Sequence, residues 1–140
     1  MAFRDTSSFG KRMEFHIINQ MLVDKYDAYT PLVDDHGVDC IIKKDDGTFL
    51  EIQIKARSKE AKQPGCFTVD NHLSEIENFY FVFYSELVNT TWVFSSSDFV
   101  KYSNLNQNGK CQDRRKINLL TRNKKISKKY EKFIREEFYF

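Results

Sequence analysis

The residues most able to do chemistry lie in two short stretches on either side of a predicted turn. The first carries Asp39 after Gly37, and the second carries Gln53 and Lys55. Because alternate side chains of a β-strand share one face, Gln53 and Lys55 project together from the second stretch. A hairpin through the turn between the two stretches brings Asp39 alongside them. A carboxylate, an amide and an ammonium group in one row predict a functional site.

This set of side chains suits metal-assisted hydrolysis of a phosphodiester. Mg²⁺ prefers oxygen ligands and usually takes one or two carboxylates, together with waters and substrate phosphate oxygens. The metal polarises the phosphate and lowers the pKa of a water molecule. We therefore expect Asp39 to supply the carboxylate ligand and Gln53 a neutral oxygen ligand. Lys55 is expected to supply a cation that stabilises the charge building on the phosphate.

The spacing of these residues resembles the signature of the PD-(D/E)XK nuclease superfamily. Gly37-x-Asp39 is followed fourteen residues later by Gln53-x-Lys55. This arrangement is similar to the variants with Gln in place of the second acid, as in Mrr-type restriction endonucleases. Archaeal Holliday junction resolvases share the same plan. The resemblance implies an α/β fold with a restriction endonuclease-like αβββαβ core, in which a mixed sheet is flanked by helices.

An upstream helical glutamate completes the superfamily pattern, and Gly10-x-x-x-Glu14 is similar to it. The resemblance implies that Asp39 and Gln53 ligate Mg²⁺ or Mn²⁺. It also implies that Glu14 holds a water on the metal or a second ion, and that Lys55 serves catalysis. The expected catalytic set is therefore Glu14, Asp39, Gln53 and Lys55, with the first three as metal residues.

The chain departs from the superfamily pattern at two positions. Val38 stands where the name-giving proline would be, and Gln53 replaces an acid, which removes one negative charge from the site. Glu51 lies on the same predicted strand face as Gln53. It could supply the missing charge or pair with Lys43 or Lys55, and we rank it second to the four residues above.

The predicted elements place this constellation between a first helix and a hairpin. Residues 9–23 form an amphipathic helix by the spacing of their apolar residues, and residues 38–43 and 48–56 form the two hairpin strands. The aromatic run 79–84 predicts a buried central strand. The remaining expected elements are an edge strand within 26–33, a short helix over 69–77, a strand over 91–95, a short helix capped by Ser97, an irregular loop over 103–114, a strand over 116–120 and an amphipathic helix over 127–137.

Length and composition predict a single domain over residues 1–140 in a reduced, cytoplasmic setting. The 140 residues include only three widely spaced cysteines, and the aromatic content of 15% suits a packed core. The net charge is +2, yet residues 110–135 hold eleven Lys or Arg and two acids. Such a basic segment suits a phosphate backbone, which it would grip without reading bases. No membrane partner is expected.

These observations predict a metal-dependent endonuclease that hydrolyses phosphodiester bonds of DNA, in restriction, repair or defence. The alternative is a catalytically inactive nucleic-acid-binding or protein-interaction module on the same fold. Because the chain has no separate recognition module, a homodimer or a subunit of a larger system is expected.

Overall fold

The computed structural model describes residues 2–33, 37–110 and 112–140. A long helix, α1 (Ala2–Val23), precedes eight strands and a second helix, α2 (Ser96–Tyr102). Two 3₁₀ helices cover Asn71–Glu75 and Lys128–Phe133. The strands are β1 (Asp27–Tyr29), β2 (Cys40–Lys43), β3 (Phe49–Arg57), β4 (Cys66–Asp70), β5 (Phe79–Ser85), β6 (Thr90–Ser95), β7 (Asn104–Leu105) and β8 (Arg114–Asn118).

Five strands form a mixed sheet in the order β1-β2-β3-β5-β6. β1, β2 and β3 are antiparallel neighbours, β5 runs parallel to β3, and β6 returns antiparallel to β5. The parallel pair requires a crossover, and here the crossover contains β4 and the first 3₁₀ helix. The α/β class and the mixed sheet flanked by helices are confirmed.

The sheet is buried on both faces, as the aromatic run in β5 predicts. On one face α1 packs Ile17 and Met21 against Ile52 of β3. On the other face Phe81 and Phe83 of β5 join a cluster of aromatic side chains that includes Trp92, Phe94 and Phe99. Glu51, Gln53 and Lys55 face this second layer at half-buried positions.

A second sheet covers part of the aromatic layer, and its three strands run in the order β4-β8-β7. β4 and β8 pair antiparallel along their whole length, so that Phe67 lies opposite Ile117 with both side chains buried. β7 adds two residues to the other edge of β8. Two segments predicted to be irregular or helical therefore contribute to a sheet.

Besides the loop predicted over 103–114, which contains β7, three sequence predictions of local structure were wrong in whole or in part. The short helix predicted over 69–77 is present only as a 3₁₀ helix over Asn71–Glu75, and Val69 and Asp70 belong to β4 because they pair with β8. The final helix extends only over Lys128–Phe133, since Ile134 bridges Trp92 and the Arg135 N–H donates to the Thr91 carbonyl. Ser95 caps α2, in place of Ser97, by accepting the Asp98 N–H.

In the part of the chain that the structure describes, no helix has the length and apolar character to cross a membrane.

Candidate functional site

The hairpin of β2 and β3 positions the predicted site residues. Along β3 the side chains of Leu50, Ile52 and Ile54 are buried beneath α1, and the polar side chains alternate with them. Cys40 pairs with Ile52 and is fully buried on the α1 side. Asp39 directly precedes Cys40, so alternation directs its carboxylate toward the opposite face, which Gln53 also uses.

The backbone of β3 holds Asp39 at the level of Gln53. The Asp39 N–H donates to the Ile52 carbonyl at 2.8 Å, and its Oδ2 accepts the Ile54 N–H at 2.6 Å. These two bonds involve both chain neighbours of Gln53. Just before β2 begins, the Asp39 carboxylate thereby continues the hydrogen bonding between β2 and β3. Asp39 therefore has a structural role that strand alternation alone does not reveal.

Gln53 presents an unusual buried acceptor. Its Oε1 is buried without a hydrogen-bond partner among the described residues. Two other buried atoms share this condition, Trp92 Nε1 and Arg135 Nε, but both are donors and cannot ligate a cation. Buried acceptors normally have partners, so Gln53 Oε1 requires an explanation such as an ion or water.

Gly37 makes room for the Gln53 amide. Its φ is +74°, and a β-carbon there would lie 3.0 Å from Leu73 Cδ1 and 3.2 Å from Gln53 Nε2. A glycine is therefore favoured both by the left-handed backbone and by the close approach of the amide. This contact explains the glycine of the Gly37-x-Asp39 motif in physical terms.

Glu14 of α1 lies beside Asp39, in a cavity that neither Gln53 nor Lys55 lines. Its side chain is 17% exposed and forms an ion pair with Lys11 at 3.2 Å. Glu14 and Asp39 line one cavity of about 110 Å³. Burial raises the pKa of the Cys40 thiol to about 12, and the charges of Asp39 and Glu14 add to this effect. Both carboxylates therefore lie close enough to act on one buried group.

Lys55 is half-buried, and burial lowers its pKa because the charged form loses hydration. The negative charges of Asp70 and Asp39 oppose this shift, whereas Arg114 and Arg57 reinforce it. Lys55 thus lies in the electrostatic range of Asp39. Asp39, Gln53 and Lys55 belong to one face of the sheet, and Glu14 reaches Asp39 from the helix.

Sequence reasoning missed the charged residues that surround Lys55. Asp70 of β4 and Arg114 of β8 pair across the second sheet, and Arg114 Nε lies 3.1 Å from Asp70 Oδ1. Arg57 donates through Nε to the Cys66 carbonyl at 2.9 Å. No local pattern marks these residues, because only the pairing of β4 with β8 brings them to Lys55. Glu51 lies two residues before Gln53 on the same half-buried face.

The residues available to a metal are two carboxylates and one amide. The described residues contain no group of three or more His, Cys, Asp or Glu side chains that could hold an ion. A site here therefore depends on Gln53 Oε1, the unpartnered acceptor. Carboxylate and amide oxygens are the ligand types that Mg²⁺ and Mn²⁺ accept, so the donor set fits such an ion.

Larger cavities lie elsewhere in the molecule. One of about 430 Å³ is bounded by α1, the β5–β6 turn and the C-terminal segment, and it contains none of the four candidate residues. Another of about 720 Å³ lies along the C-terminal segment, and it also contains none of them. The titratable and amide groups of the predicted site lie at Asp39, away from both cavities.

The fold is similar to that of a nuclease of known structure. Neither a protein-family model nor a curated protein matches the chain. The structure of I-Ssp6803I, a bacterial homing endonuclease, is similar with a TM-score of 0.58 over 92% of this chain and 86% of that chain. The sequences are 19% identical. The similarity establishes a shared fold.

Proposed function

We propose that the chain is a divalent-metal-dependent endonuclease of the PD-(D/E)XK type that hydrolyses phosphodiester bonds of DNA. One observation carries the proposal: Gln53, whose Oε1 is buried without a partner among the described residues, lies between the two β3 residues that bond to Asp39. The spacing of Asp39, Gln53 and Lys55 resembles the superfamily signature. The fold shared with a homing endonuclease supports the same activity.

In this proposal Asp39, Gln53 and Glu14 hold Mg²⁺ or Mn²⁺. When bound, the ion supplies Lewis acidity to the scissile phosphate and to the attacking water. The hydrogen bond from the Ile54 N–H fixes the orientation of the Asp39 carboxylate before any ligand arrives. Such preorganisation matters because a mobile carboxylate would have to be ordered when the ion binds, which would weaken the affinity for the ion.

Lys55 acts on the phosphate through its charge and its proton. A cation beside the scissile group stabilises the negative charge that builds during attack. Because burial lowers the pKa of Lys55, its Nζ gives up a proton at a lower pH than an exposed lysine does. That shift brings proton transfer at Nζ closer to working pH.

A plasmid cleavage assay tests the proposal. We expect wild-type protein to nick or linearise supercoiled DNA with Mg²⁺ or Mn²⁺ and to be inactive in EDTA. Asp39→Asn and Lys55→Met should each lose activity by about 100-fold or more. Asp27→Asn, which removes an exposed acid on β1, provides the matched control and should retain activity.

The alternative is a catalytically inactive module on the same fold. The replacement of the second acid by Gln53 favours it, because the site has one negative charge fewer for a cation. Titration with Mn²⁺ separates the two functions. If folded wild-type protein neither binds Mn²⁺ nor cleaves DNA, the inactive module is correct and the nuclease proposal is wrong.

A further inference from the structure

The second sheet turns one face to solvent, and we call it the outer face. In the sheet register Lys116 lies opposite both Thr68 and Asn104, and Arg114 lies opposite Asp70. All of these side chains are exposed except Thr68, which is half-buried. The outer face consists of Thr68, Asp70, Asn104, Arg114, Lys116 and Asn118, and at one end it meets Cys66, which is buried. It exposes no apolar side chain, while the inner face holds the buried residues Phe67, Val69 and Ile117.

A short basic hairpin, residues 120–126, continues from the end of β8. Leu120 bridges Ile126, and the Thr121 N–H donates to the Lys125 carbonyl at 2.7 Å. Lys124 has a φ of +60°, a left-handed conformation uncommon for lysine. The turn exposes four polar residues, of which three are cations: Arg122, Asn123, Lys124 and Lys125.

The hairpin is anchored to the body of the protein. Gly65 packs so closely on Leu120 that a β-carbon would collide with it. The Leu119 N–H donates to the Gly65 carbonyl at 2.9 Å. Gly65 immediately precedes β4, so the basic hairpin and the outer face are fixed to each other through the β4–β8 pair.

The outer face also adjoins Lys55. Thr68 lines a cavity of about 290 Å³ together with Lys55 and Arg57. Arg57 is bonded to the Cys66 carbonyl, and the charges of Asp70 and Arg114 act on Lys55. A positively charged surface therefore runs from Lys55 across β8 to the basic hairpin.

We propose that the outer face and the basic hairpin together bind duplex DNA and lead it to Lys55. The proposal rests on the proposed nuclease function, which it deepens by naming the surface that holds the substrate. Residues two apart on β8 advance by about 6.8 Å, which matches the axial rise of two base pairs of duplex DNA at about 3.4 Å each. The major groove is wide enough to admit a β-ribbon.

A duplex suits this surface better than a protein does. Protein interfaces concentrate their binding energy in aromatic and other large anchors, and the outer face exposes none. The lysines of the second 3₁₀ helix are less suitable as the main contacts. Lys132 Nζ lies 5.0 Å from the Tyr102 ring and Lys129 Nζ lies 5.5 Å from the Tyr130 ring, so their positions are explained by packing.

Two matched triple variants test the proposal. The first neutralises the surface with Lys116→Gln, Lys124→Asn and Lys125→Gln, where Asn tolerates the left-handed backbone. The control neutralises three lysines on the β1–β2 edge with Lys25→Asn, Lys43→Gln and Lys44→Gln. Lys25 has a φ of +71°, so the two sets are matched in charge and in backbone conformation. Binding of a 30-base-pair labelled duplex is followed by fluorescence anisotropy in EDTA, where cleavage does not interfere.

Each phosphate contact contributes about 0.9 to the slope of log K against log salt, so the surface variant should have a slope shallower by about 2.7. Between 50 and 200 mM salt the wild type should lose about 40-fold more affinity than the surface variant. The control should keep the wild-type slope. Equal slopes in all three proteins would overturn the proposal. It would also be overturned if polyglutamate displaced the labelled duplex as effectively as unlabelled duplex does. Binding is measured without metal, so it does not depend on cleavage. If the surface variant has a shallower slope but the wild type does not cleave DNA with metal, only the nuclease proposal is refuted.

Discussion

Replacing Gln53 with Glu tests the candidate metal site most directly, because it changes one buried terminal group. Oε1 has no hydrogen-bond partner among the described residues, so the substitution removes no acceptor bond. It places a second negative charge beside Asp39. At about 5 Å, a separation that adjacent strands allow, two such charges repel by about 3 kcal/mol at an effective dielectric constant of about 20. Without metal, Gln53→Glu should therefore lower the free energy of unfolding by up to about 3 kcal/mol.

A bound cation should reverse this loss. A ligand present at 100 times its Kd stabilises the folded state by about 2.7 kcal/mol, and the extra carboxylate should lower the Kd for Mn²⁺. Urea unfolding of the wild type and of Gln53→Glu in EDTA and in Mn²⁺ measures both effects. Gln53→Leu, which offers no ligand, serves as the control and should gain least from Mn²⁺. A stability deficit of Gln53→Glu that is the same with and without Mn²⁺ would refute the metal role of Gln53.

The remaining predictions concern residues around the same site. Asp39→Ala removes the acceptor of the Ile54 N–H and should lower the free energy of unfolding in urea by about 1 to 3 kcal/mol. Asp39→Asn keeps an acceptor and should lower it by less. Equal losses would contradict the structural role of this bond. Ile54→Ala should cost about 2 to 5 kcal/mol but preserve cleavage by the folded fraction, since it removes only packing. Gly37→Ala should lower stability by about 1 to 3 kcal/mol because it combines a positive φ with a crowded β-carbon. Burial lowers the pKa of Lys55, so the unfolded chain binds this proton more tightly than the folded one, and the wild type should gain stability as pH rises toward about 10.5. In EDTA, Lys55→Met should therefore be more stable than the wild type at pH 7. The difference in stability between the two proteins should become smaller as pH rises toward about 10.5. A constant margin across pH would exclude burial of the Lys55 charge as its cause.

The hairpin and the alternation of β3 could be predicted because both are local properties. A turn of Asp45, Asp46 and Gly47 closes two adjacent strands, and the period of two in residues 49–57 separates apolar from polar side chains without reference to the rest of the chain. The position of Glu14 on the first helix followed from a periodic apolar face. Its partly covered side chain agrees with that placement.

The parts that could not be predicted depend on contacts distant in sequence. β4 was not predicted, and its last residues were assigned to a helix. It forms because β8, whose residues lie 44 to 52 positions later in the chain, pairs with it. The charges of Asp70 and Arg114 act on Lys55 only through that pairing. The C-terminal segment has the apolar spacing of a helix. Its bridge to Trp92 turns it into extended chain after Phe133.

The two ligand candidates on the hairpin differ in how the fold treats them. The Asp39 carboxylate has a hydrogen-bond partner within the fold, the Ile54 N–H. Without this bond, the Ile54 N–H would lack the partner that β2 supplies to neighbouring residues of β3. This bond makes the carboxylate part of the strand ladder, so its position does not depend on a ligand. Gln53 differs: its Oε1 is buried without a partner in the part of the chain that the structure describes, a condition that costs about 1 to 3 kcal/mol. In the proposed metal site, Asp39 and Gln53 would hold the cation, and the cation would give Gln53 Oε1 the partner that it lacks among the described residues. The amide would then serve where an acid is the usual ligand.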